Sequence, residues 1–357
     1  MAKLATAIRL ERFWQARPPL WLRGLAGLYA LGWRVYASIY QLGLKRRHQL
    51  PVSVIGVGSL WTGGVGKTPL TIAITRLLHS AGRRVAVLTH GYGGHRYHTV
   101  SLIDPHQPVD PAAVGDETAE LRMALPEVPI AVGKWRMRVA EAALQRWAPD
   151  VLVLDDGFQH LPLGRTLDLV LLPAESPLAN GYCLPAGPLR EPPSGLRRAD
   201  VIVLVEYATL PYPTETPTPC PTLAALASDV PLYRATVAPT CLLHLTTGER
   251  VPLEALQGQP LTVLCGIARP KRFLQTAHAL GYIVDSALYY PDHHAYTAAE
   301  LQPLSGKTLL TTAKDAVKLR PLLPPNCNAY ALLLEAHLEE ALAQRIVKGT
   351  YSHAQNL

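Results

Sequence analysis

Charged side chains are scarce in this 357-residue sequence: Asp, Glu, Lys and Arg make up 17% of it, whereas 48% is hydrophobic. That balance excludes a disordered polyelectrolyte. Cysteine is scarce as well. Cys183, Cys220, Cys241, Cys265 and Cys327 have at least 20 residues between neighbours and form no Cys-x-x-Cys pair. An odd, dispersed set excludes a disulfide scaffold and fits a reducing, cytosol-facing setting. No internal repeat is present. The length exceeds what one core usually supports, so about two domains are expected.

The net charge of +7 is concentrated at one end. Residues 1–50 hold nine basic side chains and one acid, Glu11, leaving 25 basic against 26 acidic groups in the remaining 307 residues. A nucleic-acid binder usually carries its basic stripe on the folded body. Here the body is neutral, and no nucleic-acid partner is expected. Gly24–Leu44 is nearly uncharged, with Arg34 at its middle. As a helix it would be about 31 Å long, but a central arginine costs about 2.5–3.5 kcal/mol in a bilayer. At about 100° per residue Arg23, Arg34 and Lys45 share one stripe, opposite Leu25, Leu28, Tyr29, Val35, Tyr36, Ile39 and Tyr40. With Trp21 and Trp33 nearby, the pattern suits an interfacial anchor on anionic lipids. No cleavage site follows it as in a signal peptide. Lys45-Arg46-Arg47 would keep its end cytoplasmic.

Beyond Pro51, apolar runs alternate with amphipathic stretches. Val52–Val57, Val85–Leu88, Pro129–Val132, Val151–Leu154, Leu167–Leu172 and Val201–Val205 read as buried strands; Pro69–Ser80, Thr118–Leu125 and Trp135–Trp147 read as helices. Continuous apolar strands between helices indicate a parallel sheet covered on both faces. Five prolines from Pro211 to Pro221 break the pattern and read as extended linker. Leu261–Cys265, a helix over Pro270–Leu280, Tyr282–Tyr289 and Thr308–Thr312 then suggest a second α/β unit. Thr297-Ala298-Ala299-Glu300 is a capping box. The expected organisation is an anchoring segment (1–50), an α/β domain (51–210), a Pro-rich linker (211–240) and a smaller α/β domain with a C-terminal helix (241–357).

After the first strand comes Gly58-Ser59-Leu60-Trp61-Thr62-Gly63-Gly64-Val65-Gly66-Lys67-Thr68-Pro69. Glycines let backbone N–H groups converge on phosphate oxygens. Lys67 would reach the β/γ-phosphates, the Thr68 hydroxyl would bind Mg2+, and the helix N-terminus favours anions. Strict G-x-x-x-x-G-K-[ST] needs Gly at position 61, so this is a variant P-loop, with residues Trp61, Thr62, Gly63, Gly64, Val65, Gly66, Lys67 and Thr68 expected around the nucleotide. A metal-orienting carboxylate is needed at a neighbouring strand end. Val151–Leu154 runs into Asp155, the expected Mg2+ partner, and Asp156, a catalytic or supporting group. The fold class is therefore α/β: a P-loop NTPase-type parallel sheet covered by helices, with a second smaller α/β domain and an N-terminal membrane-associated helix.

Asp155-Asp156-Gly157-Phe158-Gln159-His160, taken with the Gly63–Pro69 loop, resembles the tetraacyldisaccharide 4'-kinase (lipid A 4'-kinase) family. Gly91-Tyr92-Gly93, Val114-Gly115-Asp116-Glu117, Gly187-Pro188-Leu189-Arg190-Glu191, Asp292-His293-His294 and Thr312-Ala313-Lys314-Asp315 match in order. The sequence departs from the family at Gly58-Ser59-Leu60-Trp61, usually Gly-Asn-x-Thr, and at Thr89-His90, usually Ser-Arg. The resemblance implies two α/β/α domains with the active site between them. It implies transfer of the ATP γ-phosphate, with Mg2+, to the 4'-hydroxyl of a tetraacyldisaccharide 1-phosphate lipid A precursor, giving lipid IVA. It also implies the cytoplasmic face of the bacterial inner membrane, Asp116 as base and His293 as its partner from the other domain.

Read alone, Asp116 is a helix N-terminal acid beside Thr118 and His293 a loop histidine. Metal binding by Asp292-His293-His294 is disfavoured, because adjacent residues of an extended chain face opposite ways. Arg190 is a candidate phosphate or substrate contact, and Arg136 and Arg138 are either that or solvated surface charge. His95 and His98 read as loop residues. The rival is a membrane-associated regulatory P-loop ATPase or GTPase; Thr312-Ala313-Lys314-Asp315 lacks the spacer of the guanine-reading [NT]-K-x-D motif.

Overall fold

The computed structural model describes residues 13–14, 16–208 and 221–354. Its strands are β1 (Ser53–Ser59), β2 (Val85–Thr89), β3 (Ser101–Ile103), β4 (Ile130–Val132), β5 (Val151–Asp155), β6 (Leu167–Pro173), β7 (Val201–Tyr207), β8 (Leu232–His244), β9 (Arg250–Val251), β10 (Pro260–Cys265), β11 (Ile283–Tyr289), β12 (Thr308–Thr312) and β13 (Asn328–Leu338). They form one sheet in the order β11-β10-β12-β13-β8-β7-β6-β1-β5-β2-β4-β3, with β9 paired to β8. Only the β3–β4, β8–β13 and β8–β9 pairs are antiparallel among the described strands. The helices longer than six residues are α1 (Leu20–Gln41), α2 (Lys67–Ser80), α3 (Asp116–Ala124), α4 (Arg136–Trp147), α5 (Pro270–Ala279), α6 (Ala313–Leu319) and α7 (Glu340–Ala354).

Burial on both faces explains the unbroken apolar strands. Ile55 and Val57 of β1 pack with Leu70, Ile74 and Leu78 of α2. Val54, from the other face of the same strand, joins Leu152 and Leu154 of β5 and Val139, Ala140 and Ala143 of α4. Each face of β1 is thus sealed by a helix, and an alternating polar pattern would fail there. The capping box forms as expected, with Thr297 Oγ1 accepting from the Glu300 amide and Glu300 Oε2 accepting from the Thr297 amide, over the single turn Ala298–Leu301.

Two expected boundaries are corrected. Residues 211–220 of the expected linker lie outside the described residues, but 221–240 hold a short helix, Pro221–Leu226, and most of β8. That long strand pairs in parallel with β7 over Leu232–Val237 and antiparallel with β13 over Ala235–His244. It therefore fuses the two halves into one sheet. Alternating polar and apolar residues and Pro239 hid this strand. The C-terminal helix α7 also departs from expectation. Leu342 and Ile346 pack in the same core as Ile55 and Val57, on the first half of the chain.

Helix α1 runs from Leu20 to Gln41, four residues earlier than expected at its start. Leu22 and Ala26 pack against Ala186, while Leu20, Trp21, Leu25, Leu28, Leu31 and Val35 are exposed. By helical geometry those exposed residues lie opposite the docked side, and Arg23 and Arg34 fall between the two. Arg23 is held by the Pro18 carbonyl at 2.7 Å and sits over the Tyr182 ring. No helix among the described residues is long and apolar enough to cross a membrane.

A close approach that bears on the glycine loop lies at the end of β1. A Cβ on Gly58 would stand 2.5 Å from Phe158 Cβ and 2.7 Å from its amide nitrogen. Gly58→Ala must therefore push β1 away from the turn that follows β5. The expected loss is about 1–3 kcal/mol of stability, as for other overpacked sites, in denaturant unfolding, together with lost nucleotide binding.

Candidate active site

Because β1 leads straight into the glycine loop, the loop emerges at the C-terminal edge of the sheet. Gly66 caps α2 with φ 91°, in the left-handed region that glycine enters without strain. Residues Thr62 through Thr68 line a cleft of about 1060 Å3, and the first amides of α2 point toward it as an anion site. Trp61 is a correction. It is buried, does not line the cleft, and donates its indole N–H to the Pro177 carbonyl at 2.8 Å. Its ring instead carries the Arg269 guanidinium, 4.6 Å from the centroid.

The parallel register sets Val57 beside Asp155, bringing the strand-end acids level with the loop. Asp155 is buried and accepts from Thr71 Oγ1 at 2.9 Å and from Thr89 Oγ1 at 3.4 Å. Burial first, then the nearby Glu117 and Asp156 carboxylates, push its carboxyl up to about 6. Asp156, with φ 51°, meets Lys67 Nζ at 3.5 Å and Arg190 Nη1 at 2.7 Å. Burial raises its pKa, but the Lys67 and Arg190 charges overcome that and hold it below the usual carboxylate range. Arg190 also donates to the Thr62 carbonyl at 3.2 Å, so the loop and the acid share one cation.

Across the cleft, His293 Nδ1 lies 3.0 Å from Asp116 Oδ1 and 3.1 Å from Oδ2. Asp116 opens α3 in the first half, and His293 sits beyond β11 in the second. Lys318 Nζ is 3.3 Å from Asp116 Oδ2, and Lys314 Nζ is 3.3 Å from His293 Nε2 and 2.8 Å from Asp292. Burial pushes Asp116 up, yet the His293 hydrogen bond and the Lys314, His293 and Lys318 charges outweigh it, holding the carboxylate ionised. His293 is raised, chiefly by its bond to Asp116. A buried anion with a fixed imidazole partner can accept a proton from a bound hydroxyl.

Other expectations resolve plainly. Arg136 is fully buried, not surface charge: its Nη2 donates to the Asp155 carbonyl at 2.7 Å and lies 2.8 Å from His90 Nδ1. Burial lowers it to about 10 and lowers His90 to about 3, so His90 stays neutral beside it. Arg138, His95 and His98 are exposed. Asp315 is buried and accepts from the Gly266 amide, the Tyr296 hydroxyl and Thr312, which makes it structural rather than base-reading. The sequence reading missed Lys318, Glu117, Arg269 and Arg272. Lys314 and Lys318 are four apart on one helix face, a usable signal; the arginines left none.

Among the described residues no cluster of three or more His, Cys, Asp or Glu groups is placed to hold a metal alone. Mg2+ does not need one, since it keeps several waters and uses one or two carboxylates plus phosphate oxygens. The donor set fits: Thr68, Asp155, Asp156 and Glu117 line one cleft, and beside burial the Glu117 and Asp156 charges raise the Asp155 carboxyl, a repulsion that a divalent cation would relieve.

A family profile described as LpxK, tetraacyldisaccharide-1-P 4'-kinase, matches residues 19–350. A tetraacyldisaccharide 4'-kinase of Anaeromyxobacter dehalogenans strain 2CP-C is 41% identical over 334 residues, 88% of this chain and 87% of that protein. One from Syntrophus aciditrophicus is 34% identical, covering 88% and 90% of the two chains. The "apo" form of LpxK from Aquifex aeolicus in complex with ATP aligns with a TM-score of 0.76 at 30% identity, covering 93% of this chain and 98% of that one.

His293→Ala removes the hydrogen bond that does most to lower the Asp116 carboxyl. The Asp116 pKa then rises toward the ordinary value near 3.9, so activity that is present above that pKa is lost at a higher pH than in the wild type. The acid limb of the kcat/KM profile is expected to move upward in pH; an unmoved limb removes the pair from the mechanism.

Proposed function

The chain belongs to the tetraacyldisaccharide-1-P 4'-kinase family, and from that membership we infer that it transfers the γ-phosphate of ATP to the 4'-hydroxyl of a tetraacyldisaccharide 1-phosphate, giving lipid IVA. One arrangement carries the reading. Lys67, Asp155, Asp156 and His293 line a single cleft, and His293 is hydrogen-bonded to Asp116. Phosphoryl transfer needs positioning and charge neutralisation far more than covalent chemistry, and the cleft supplies both.

The amides after Gly64 and the Lys67 ammonium would hold the triphosphate. Thr68 and Asp155, with Asp156 and Glu117 near, would hold Mg2+, which neutralises charge on the phosphate oxygens when bound. Asp116 takes the 4'-hydroxyl proton as the sugar oxygen bonds to γ-phosphorus and the bond to the β,γ-bridging oxygen breaks, releasing ADP. In a loose transition state the proton leaves late, so a weakly basic carboxylate suffices. Its role is to be ionised and correctly aimed. His293 fixes its orientation, and Lys318 stabilises its charge.

We also propose that the protein works at the cytoplasmic face of a bacterial inner membrane rich in anionic lipids. Support comes from the outward apolar side of α1 and from the exposed Lys45, Arg46 and Arg47 just beyond it. Each basic residue near such a surface adds about 1 kcal/mol. The near-neutral net charge of residues 51–357 weighs against a nucleic-acid partner.

Incubation of the full chain with γ-labelled ATP, Mg2+ and detergent-dispersed tetraacyldisaccharide 1-phosphate is expected to label the lipid, one phosphate per ADP formed. ATP turnover indifferent to the lipid would favour the regulatory ATPase instead. Asp116→Asn should lower kcat by about 10²–10⁴, the usual worth of a general base, while ATP binding persists. Leu28→Asp with Leu31→Asp should release the protein from anionic vesicles in flotation, since each exposed leucine contributes about 1.5–3 kcal/mol when buried; retained binding would remove α1 as the anchor.

A further inference from the structure

The glycine loop is touched from the second half by two arginines that the scheme above does not use. Arg272, in the first turn of α5, donates from Nη1 to the Gly64 carbonyl at 2.9 Å. The Arg269 side chain lies against Gly64, where a Cβ would come 2.9 Å from its Cδ. Both guanidiniums rest on aromatic faces: Arg269 on Trp61, and Arg272 3.9 Å from the centroid of Tyr207. Stacking of this kind fixes and partly desolvates a cation without neutralising it. Neutralisation comes from Glu175, just past β6. Its Oε1 accepts from Arg272 Nη2 at 2.6 Å and from Arg269 Nη1 at 3.2 Å.

A single carboxylate oxygen between two planar guanidiniums has the form of a phosphate oxygen between two arginines. The arginines line the same cleft as Lys67 and Thr68, which is where the triphosphate has to lie. The carboxylate itself is more than half exposed, at 54% of its side chain, whereas the arginines are at 16% and 19%. An exposed anion can leave for water; the stacked cations cannot follow it.

We propose that Glu175 is an internal stand-in for a terminal phosphate of ATP: it occupies the Arg269–Arg272 pair in the empty enzyme and yields the pair to the nucleotide. This rests on the kinase reading and adds to it a phosphate subsite built from the second half, with a built-in competitor. Apparent ATP affinity is then reduced by the fraction of molecules in which Glu175 holds the pair. Trp61, where the family usually has Thr, is the platform that keeps Arg269 in reach.

The alternative is that Glu175 merely ties the halves together, and the two differ in sign. Equilibrium binding of MgATP to the full chain, followed by calorimetry, is expected to tighten about 3–10-fold in Glu175→Gln, a near-isosteric change that removes the competing charge. KM for ATP in lipid phosphorylation should fall with it. Arg272→Met should weaken ATP, Arg272→Lys should restore part of the loss, and Glu175→Gln should give no gain when added to Arg272→Met. Unchanged or weakened ATP binding in Glu175→Gln, with wild-type melting temperature, overturns the proposal. Failure of the wild type to bind ATP at all would overturn the kinase reading instead, so the two failures are distinct.

Discussion

Strand β5 ends at Asp155, level with Val57 two residues before the end of β1, and this register sets the glycine loop beside a cluster of like charges. The glycine loop leaves one strand as two carboxylates leave the other, while Glu117 approaches from α3. Left unrelieved, such crowding in a buried edge would favour protonation, as the raised Asp155 carboxyl indicates. The rest of the site is arranged to answer it. Lys67 and Arg190 take Asp156, the Thr71 and Thr89 hydroxyls take Asp155, and Arg136 beneath donates to the Asp155 carbonyl. Each of these lies within reach of where phosphate and Mg2+ would add their own charges. The edge is electrostatically unfinished without them.

The same cation ties the site to the surface helix. Tyr29 of α1 donates its hydroxyl to the Arg190 carbonyl at 2.8 Å, and Leu22 and Ala26 pack on Ala186 just upstream. Arg190 then reaches Asp156 and the Thr62 carbonyl. A helix whose outward side is apolar is therefore fixed, through one residue, to the acid beside Lys67. An acyl chain lying along α1 would bring its sugar to that arginine without a mobile arm, and positional precision of this kind is what phosphoryl transfer rewards.

Much of this was legible in the chain because parallel strands buried on both faces leave long apolar runs, and because loop glycines and strand-end acids are local patterns. Ser53–Ser59 and Val151–Asp155 fall almost where the runs predicted them. What escaped was long-range or masked. β8 alternates polar and apolar residues around Pro239, so it read as linker, although its two edges join the halves. The docking side of α1 rests on Leu22 and Ala26, which no apolar stripe singled out, so the contact of this helix with the body was not visible. Arg136 looked like surface charge because a buried guanidinium is stable only among partners that no local sequence reveals. Trp61 opens a motif whose following residues, Thr62 to Thr68, line the cleft, and the Pro177 carbonyl 116 residues away holds it turned inward.

Polar contacts cross the cleft in two places, and the two places face different reactants. Asp116–His293 belongs to the acceptor side, while the Arg269–Arg272 pair meets the nucleotide loop. Both second-half groups are carried on loops and helices around β10 and β11, a body joined to the first half through the β8–β13 ladder. Any shift of that body changes both contacts together. Linkage then requires reciprocity: a nucleotide that draws the arginines inward also favours the position in which His293 meets Asp116, and an acceptor that favours the closed pair raises nucleotide affinity by the same factor. A protein with the base and its orienting partner on one half would lack this coupling. Dividing the pair between halves makes the aim of the base depend on how the second half sits against the first, the same placement that sets the arginines against the glycine loop.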